Sequence, residues 1–239
     1  MSVSVVVLCQ HRMSISRALE SVQNQTHSDL EIVVVQDGCP KSHKALCKSK
    51  DCVLRTCGSV EVLIRKRMES DGRIKYLQAP QCAGYGSGYL RNFAIANSCG
   101  EYIAYLDDDN WWELDHVEKL FHVLYPMHSF AWSGSYLWRD GKMVGNRLNS
   151  IPCRNGIDTS EIMHHRNLIN QVGGWPDHPH HHDWNLIQKF MKAGKHGAHL
   201  PTCTVNYTTH KPNLRFSLKK RAYSMIGKNL SPGVVLCDE

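Results

Sequence analysis

The opening residues restrict the fold more than any other stretch of the chain. Ser2 to Cys9 is a nearly unbroken β-branched and apolar run. That is the pattern of a strand buried on both faces of a parallel sheet. Ser14 can cap a helix, because Ile15, Leu19 and Val22 recur at helical spacing directly after it. Glu31 to Val35 is a second β-branched strand, closed by Asp37-Gly38. Strand, helix and strand this close together form a βαβ unit, whose crossover is right-handed almost without exception. The alternation then continues. Arg73 to Leu77 reads as a strand, Gly84 to Gly88 as a flexible loop, Tyr89 to Asn97 as a helix and Glu101 to Leu106 as a strand. The first half, to about residue 110, is therefore expected to be a nucleotide-binding type of α/β layer.

Composition removes the competing classes. With 239 residues, 42% hydrophobic and 21% charged, the chain is neither disordered nor collagen-like, and it can bury a core without staples. No apolar run reaches the ~18–20 residues of a membrane span. Val3 to Cys9 lacks the basic flank and small-residue cleavage site of a signal peptide. The formal charge of +6 suits an anionic small ligand, a membrane surface or nucleic acid without selecting among them. Ten cysteines, mostly isolated, read as reduced thiols of a cytoplasmic protein.

The second half is less regular. Leu114 to Leu124 and Asp183 to Ala193 read as helices, and Phe130 to Trp138 as a strand. Ser160 to Val172 reads as strand then helix, stopped by Gly173-Gly174. Without repeats or an obvious linker, residues 1–239 read as one compact domain ending in a basic segment.

Asp107-Asp108-Asp109 is the strongest local chemical signal. Three carboxylates at a strand end repel one another and are best tolerated beside a cation. If strand geometry persists, Asp107 and Asp109 share one face and Asp108 takes the other. Hard oxygen ligands suit Mg²⁺ or Mn²⁺ shared with a substrate phosphate. The competing reading is a solvated acidic turn that caps the helix after it.

The order of segments then becomes recognisable. VSVVVLCQHR, ALESVQNQTHSDLEIVVVQDG and YLRNFAIANSCGEYIAYLDDDNWWELDH, followed by TSEIMHHRNLINQVGGWPD and HDWNLIQKFMKAG, resemble the family 2 glycosyltransferases of GT-A fold. The resemblance covers roughly residues 3–212. It implies a Rossmann-like, mainly parallel mixed sheet flanked by helices. Residues to about 110 would form the nucleotide-sugar half and about 111–212 the acceptor half, with a basic segment over about 213–239. It implies inverting transfer from a UDP-, GDP- or dTDP-linked sugar to a glycan, lipid-linked or small-molecule acceptor, with Mn²⁺ or Mg²⁺ as cofactor.

By the same resemblance, Cys9, Gln10 and His11 would surround the base and ribose, although the family's usual residues there differ. Asp37 would accept from the base; it could otherwise be a turn residue. Arg91 would face the diphosphate or donor sugar, or else form a helix-surface ion pair. Asp109 would be the metal ligand and His210 an additional one, unless His210 is simply a surface residue. Asp107 or Asp108 would hold the ribose. Asp183 would be the general base, with His182 where the family commonly has glutamate; it could instead only cap its helix.

Two other clusters carry less. His178, His180, His181 and His182 lie in a Pro-punctuated loop without convergent geometry for zinc, and are expected to line the acceptor pocket. Cys39, His43, Cys47, Cys52 and Cys57 recur about every five residues, which scatters thiols around a helix. The segment from Lys41 to Asp71, which holds all of them but Cys39, reads as a long basic excursion between the second and third strands. The basic end, from Lys211 to Lys228, suits a diphosphate, the cytoplasmic face of a membrane, or bulk solvent. Nucleic acid is not an expected partner, since no accompanying motif is present. A nucleotidyltransferase would need a Gly-rich phosphate loop after the first strand, which CQHRMS lacks. A non-catalytic sugar-binding relative would be favoured by loss of the triplet or the base, and both are present.

Overall fold

The computed structural model describes residues 1–10, 12–36, 57–80, 87–176 and 181–210. His11, Asp37, Cys39, His43, Cys47, Cys52, residues 84–86 of the glycine loop, His178, His180 and the basic segment from Lys211 lie outside the described residues.

Nine strands of the described residues form one sheet, ordered β3-β2-β1-β4-β8-β6-β9-β5, with β7 paired to β6. They are β1 (Val3–Cys9), β2 (Leu30–Gln36), β3 (Ile74–Gln78), β4 (Tyr102–Asp107) and β5 (Trp111–Trp112), then β6 (Phe130–Arg139), β7 (Lys142–Arg147), β8 (Ile162–His165) and β9 (Gly197–Thr208). The helices are α1 (Ile15–Gln23), α2 (Cys57–Ser70), α3 (Ser87–Ala96), α4 (His116–Leu124), α5 (Arg166–Gln171) and α6 (His182–Lys192). The pairs β1-β2, β2-β3, β1-β4 and β6-β9 are parallel.

All seven residues of β1 are buried, as the β-branched run predicts. Val5 and Val7 face a core layer with Ile15, Leu19 and Val22 of α1 and Val117 and Leu120 of α4. Val6 and Leu8 face the other layer, with Leu90 and Ala94 of α3, Leu168 of α5 and Leu186 and Phe190 of α6. A strand covered by helices on both faces cannot alternate polar with apolar residues, so the continuous run is a consequence of position. Ser14 does occupy the N-cap of α1, but its side chain makes no capping hydrogen bond.

The structure corrects several expectations. The excursion before β3 contains a helix, α2. Ser87 and Gly88 open α3 instead of belonging to a loop. The strands β5, β7 and β9 have no counterpart in the sequence pattern. Cys9, Cys99 and Cys203 are free thiols, but Cys153 is disulfide-bonded, against the fully reduced reading.

A polar clasp holds the end of the sheet opposite the acidic triplet. Glu31, in β2, accepts from Ser4 Oγ of β1 at 2.5 Å, from the Gly100 amide at 2.8 Å and from Lys75 of β3 at 2.9 Å. A Cβ on Gly100 would lie 2.5 Å from the Ser4 amide nitrogen, so only glycine allows this approach. Arg166 of α5 donates to Ser4 Oγ at 3.1 Å, Ser98 Oγ at 2.9 Å and Ile95 O at 3.0 Å. Among the described residues no helix is long and apolar enough to cross a membrane.

Burial opposes ionisation of Glu31, but the Lys75, Ser4, Cys99 and Gly100 hydrogen bonds outweigh it and hold the carboxyl down at about 2. A depressed acid stabilises the fold above its unfolded value and loses that contribution as pH falls through the folded value. Glu31→Gln is therefore expected to cost about 1–3 kcal/mol at neutral pH, the scale of hydrogen bonds to a charged group. In denaturant melts the deficit should vanish as pH approaches about 2. An equal deficit at both pH values would refute the clasp.

Candidate active site

Parallel pairing of β1 with β4 brings Leu8 level with Asp107. The chain then turns, with the Asn110 amide bonded to Asp107 O at 3.1 Å. Strand geometry therefore stops at Asp107, and the expected two-faced arrangement of the triplet does not form. Asp107 turns to Arg91, whereas Asp108 and Asp109 share Arg12.

Asp107 keeps 34% of its side chain exposed and accepts from Arg91 Nη2 at 3.0 Å. Asp108, only 2% exposed, accepts from the Gln10 amide at 2.6 Å and lies 3.5 Å from Arg12 Nη1. Asp109 Oδ2 takes both Arg12 Nη1 and, at 2.6 Å, His210 Nε2. Burial pushes the Asp108 carboxyl up to about 7 against the pull of Arg12 and the Gln10 amide. Burial also raises Asp107, opposed by Arg91 and reinforced by Asp109 and Asp183.

The supports of this turn come from distant elements. Ser160 Oγ accepts from the Asp107 amide at 3.3 Å and from Asn110 Nδ2 at 3.0 Å. Thr208, ending β9, donates its amide to Asn110 Oδ1 at 2.9 Å and its hydroxyl to Asp109 O at 2.5 Å. This places His210 two residues beyond the strand, against Asp109.

Arg91 is 4% exposed and packs 4.6 Å from the Trp175 ring centroid. Its neighbour Asn92 exchanges two hydrogen bonds with the Trp175 backbone, at 2.8 and 3.1 Å. Gly174, at φ +81°, lies under that amide, where a Cβ would meet Asn92 Oδ1 at 2.7 Å. One helix, α3, therefore holds both the triplet and the turn leading toward α6. Asp183 stands in the first turn of α6 and accepts from the Trp184 amide at 2.7 Å. The charge of Asp183 is felt by Asp107 and by Asp158.

Of the expected residues, the structure brings together Gln10, Arg91, Asp107, Asp108, Asp109 and His210, with Asp183 within electrostatic reach. Cys9 ends β1 with its side chain in the core. His181 is paired with Arg154 at 2.6 Å. Two members of the site do not stand out in the sequence. Arg12 follows β1, and its only signal is that of a cation shortly after the first strand. Asp158 closes a capping box with Glu161, readable as Asp-Thr-Ser-Glu. Glu161 in turn pairs with Arg147 at 2.7 Å in a nearly dry position. Desolvation raises the Asp158 carboxyl to about 8, with Arg147 opposing and Asp107, Glu161 and Asp183 reinforcing.

Among the described residues, no three His, Cys, Asp or Glu groups converge as a ready-made metal centre. Asp109 and His210 nevertheless offer a hard oxygen and an imidazole nitrogen 2.6 Å apart. Few protein ligands suffice where a substrate phosphate completes the shell, so the donor set fits Mg²⁺ or Mn²⁺.

Solved structures define the fold class. The chain superposes on S. aureus TarS 1–349, solved in complex with UDP-GlcNAc, with a TM-score of 0.65 and 16% identity, over 97% of this chain and 68% of that one. It matches the mannosyltransferase PcManGT from Pyrobaculum calidifontis, in complex with GDP-Man and Mn²⁺, with a TM-score of 0.67 and 16% identity, over 96% and 65%. The fold is of GT-A glycosyltransferase type.

Residues 4–189 match glycosyl transferase family 2, and the chain belongs to that family. A curated relative, the glycosyltransferase GlyA of Streptococcus pneumoniae serotype 4, is 28% identical over 120 residues, 50% of this chain and 14% of GlyA. The chain spans between 14% and 49% of the length of three such relatives.

An acid raised by the fold loses its proton first in the unfolded chain, so stability falls as pH climbs from the unfolded toward the folded value. Asp158→Asn keeps the acceptor for the Ser160 amide and removes this penalty. Between about pH 4 and pH 8 the parent should lose stability relative to the variant, by about 1–3 kcal/mol in total. Parallel stability–pH curves would show that Asp158 is solvated like an ordinary surface carboxyl.

Proposed function

We propose that this chain carries the catalytic domain of an inverting, metal-dependent glycosyltransferase. It would move a sugar from a nucleoside-diphosphate sugar to an acceptor hydroxyl. The observation that carries the reading is the meeting of Asp107, Asp108 and Asp109 with Gln10, Arg12, Arg91 and His210 beyond the carboxyl ends of β1 and β4. That end of an open, largely parallel sheet is where nucleotides bind. The UDP-GlcNAc of TarS and the GDP-Man and Mn²⁺ of the mannosyltransferase support the same class of donor.

Asp109 and His210 would hold the divalent ion, which when bound supplies positive charge against the negative charge building on the departing diphosphate. Arg91 adds a guanidinium fixed by Asp107 and Trp175. Asp107, with a third of its side chain exposed, is the triplet member open to a ribose or sugar hydroxyl. Asp108, turned inward onto Gln10, instead secures the end of β1. Asp37, by its place after β2, would accept from the base. Asp183 would take the acceptor hydroxyl's proton as that oxygen attacks opposite the leaving group, which inverts the anomeric centre.

Two substitutions separate binding from catalysis. Asp109→Asn should abolish Mn²⁺-dependent affinity for a nucleoside diphosphate in calorimetry while the fold survives, since it relieves repulsion in the triplet. Unchanged Mn²⁺ dependence would remove Asp109 from the metal site. Asp183→Asn keeps size but cannot accept a proton at neutral pH. Its transfer rate should drop ~10²–10⁴-fold with donor affinity nearly intact, the scale of general-base assistance. NMR of the product should show the anomeric configuration opposite to the donor's; retention, or a full rate in the variant, would reject this base.

A further inference from the structure

Arg12 touches the acidic triplet, yet the proposed reaction gives it no task. Its side chain is 40% exposed, and Nη1 reaches two carboxylates, Asp109 Oδ2 in close contact and Asp108 Oδ1 at 3.5 Å. The same Asp109 Oδ2 takes His210 Nε2 at 2.6 Å. A second guanidinium, Arg17, lies 3.4 Å from the Trp111 ring centroid and acts on Asp109 through space. The oxygen expected to ligate a divalent ion is thus already neutralised from within the chain.

A guanidinium and a divalent cation held on one carboxylate repel each other and compete for the same oxygen. Both are positive, and arginine has no accessible neutral form with which to yield. An ion that takes Asp109 Oδ2 therefore weakens the hold of that carboxylate on Arg12. Its chain position, three residues past the end of β1, keeps it beside the triplet. The released planar fork of donors then matches one kind of nearby ligand best, the oxygens of a phosphate.

We propose that Arg12 is an exchangeable internal counter-ion, paired with Asp109 in the free enzyme and transferred to the donor's diphosphate when a divalent ion takes that carboxylate. The inference rests on the metal-dependent reading above. It makes metal and nucleotide bind as a set. The ion alone must break an ion pair and leave Arg12 without an anion, whereas the ion with a diphosphate exchanges one partner for another. A residue that merely tied the end of β1 to the triplet would produce no such coupling.

The test uses Arg12→Gln and Arg12→Lys in the full chain, with thermal melts confirming the fold. Mn²⁺ affinity is read by electron paramagnetic resonance without nucleotide, then UDP and GDP affinity by calorimetry at saturating Mn²⁺. Arg12→Gln should bind Mn²⁺ alone about fivefold more tightly, the scale of a partly exposed ion pair removed. The same variant should bind the matching nucleoside diphosphate about tenfold more weakly, having lost a charge-assisted hydrogen bond. Arg12→Lys, which keeps the charge, should resemble the parent toward Mn²⁺ alone, and this holds the test open if the glutamine variant fails to fold. Opposite signs for the two ligands are the signature. An unchanged or weaker Mn²⁺ affinity in Arg12→Gln, or a tighter one in Arg12→Lys, overturns the exchange. A parent that binds nucleotide only with Mn²⁺ while the signature is missing loses this inference alone. A parent whose nucleotide binding ignores Mn²⁺ removes the metal-dependent reading and the exchange together.

Discussion

The register between β1 and β4 is the constraint on which the site depends. Because Leu8 stands opposite Asp107, the chain leaves both strands at one level, and the Gln10 amide reaches Asp108 at 2.6 Å. A one-residue slip would send every side chain of β4 to the opposite face and carry the triplet away from β1. Burial of both faces makes that slip a packing error, since Ala104 and Leu106 fill one core layer and Ile103 and Tyr105 the other, and exchanging them would misfit both. Packing on the two faces of the sheet thus positions carboxylates that would repel one another in isolation.

The parallel half is legible in the sequence for the same reason. A strand covered on both faces leaves a continuous β-branched run, and intervening helices leave a 3.6-residue period, so β1, α1, β2 and β4 can be read locally. The other half hides its order. β9 carries Pro201 and several polar residues, and it pairs in parallel with β6 through register shifts around Gly134. β5 has two residues and exists only because β9 lies beside it. Such strands follow from long-range pairing, which no local pattern encodes.

The site divides along the same line. Acidic residues and Arg91 announce themselves by type and position, but their partners come from far along the chain. Asp109 meets His210 across 101 positions, and Asp107 leans on Ser160 across 53. Asp108 turns inward onto the Gln10 amide because a turn replaces the strand after Asp107. Asp158 leaves a readable capping box, yet nothing local says that its carboxyl comes under the charge of Asp107 and Asp183.

The electrostatics then connect stability with ligand binding. Burial raises Asp107, Asp108, Asp158 and Glu161 above the ordinary carboxyl range, so the folded cleft resists their ionisation. The guanidiniums of Arg12, Arg91 and Arg147 and the Gln10 amide offset part of that cost. Arg91 and Arg147 sit in nearly dry positions fixed by packing, whereas Arg12 is the half-exposed member. Asp109 is paired with the half-exposed Arg12 and the exposed His210, whereas Asp107 is held by Arg91, which packs against Trp175. The exchangeable contacts of the triplet thus lie at its end away from α3, and that helix joins both halves of the site through Arg91 on Asp107 and Asn92 on the Trp175 backbone.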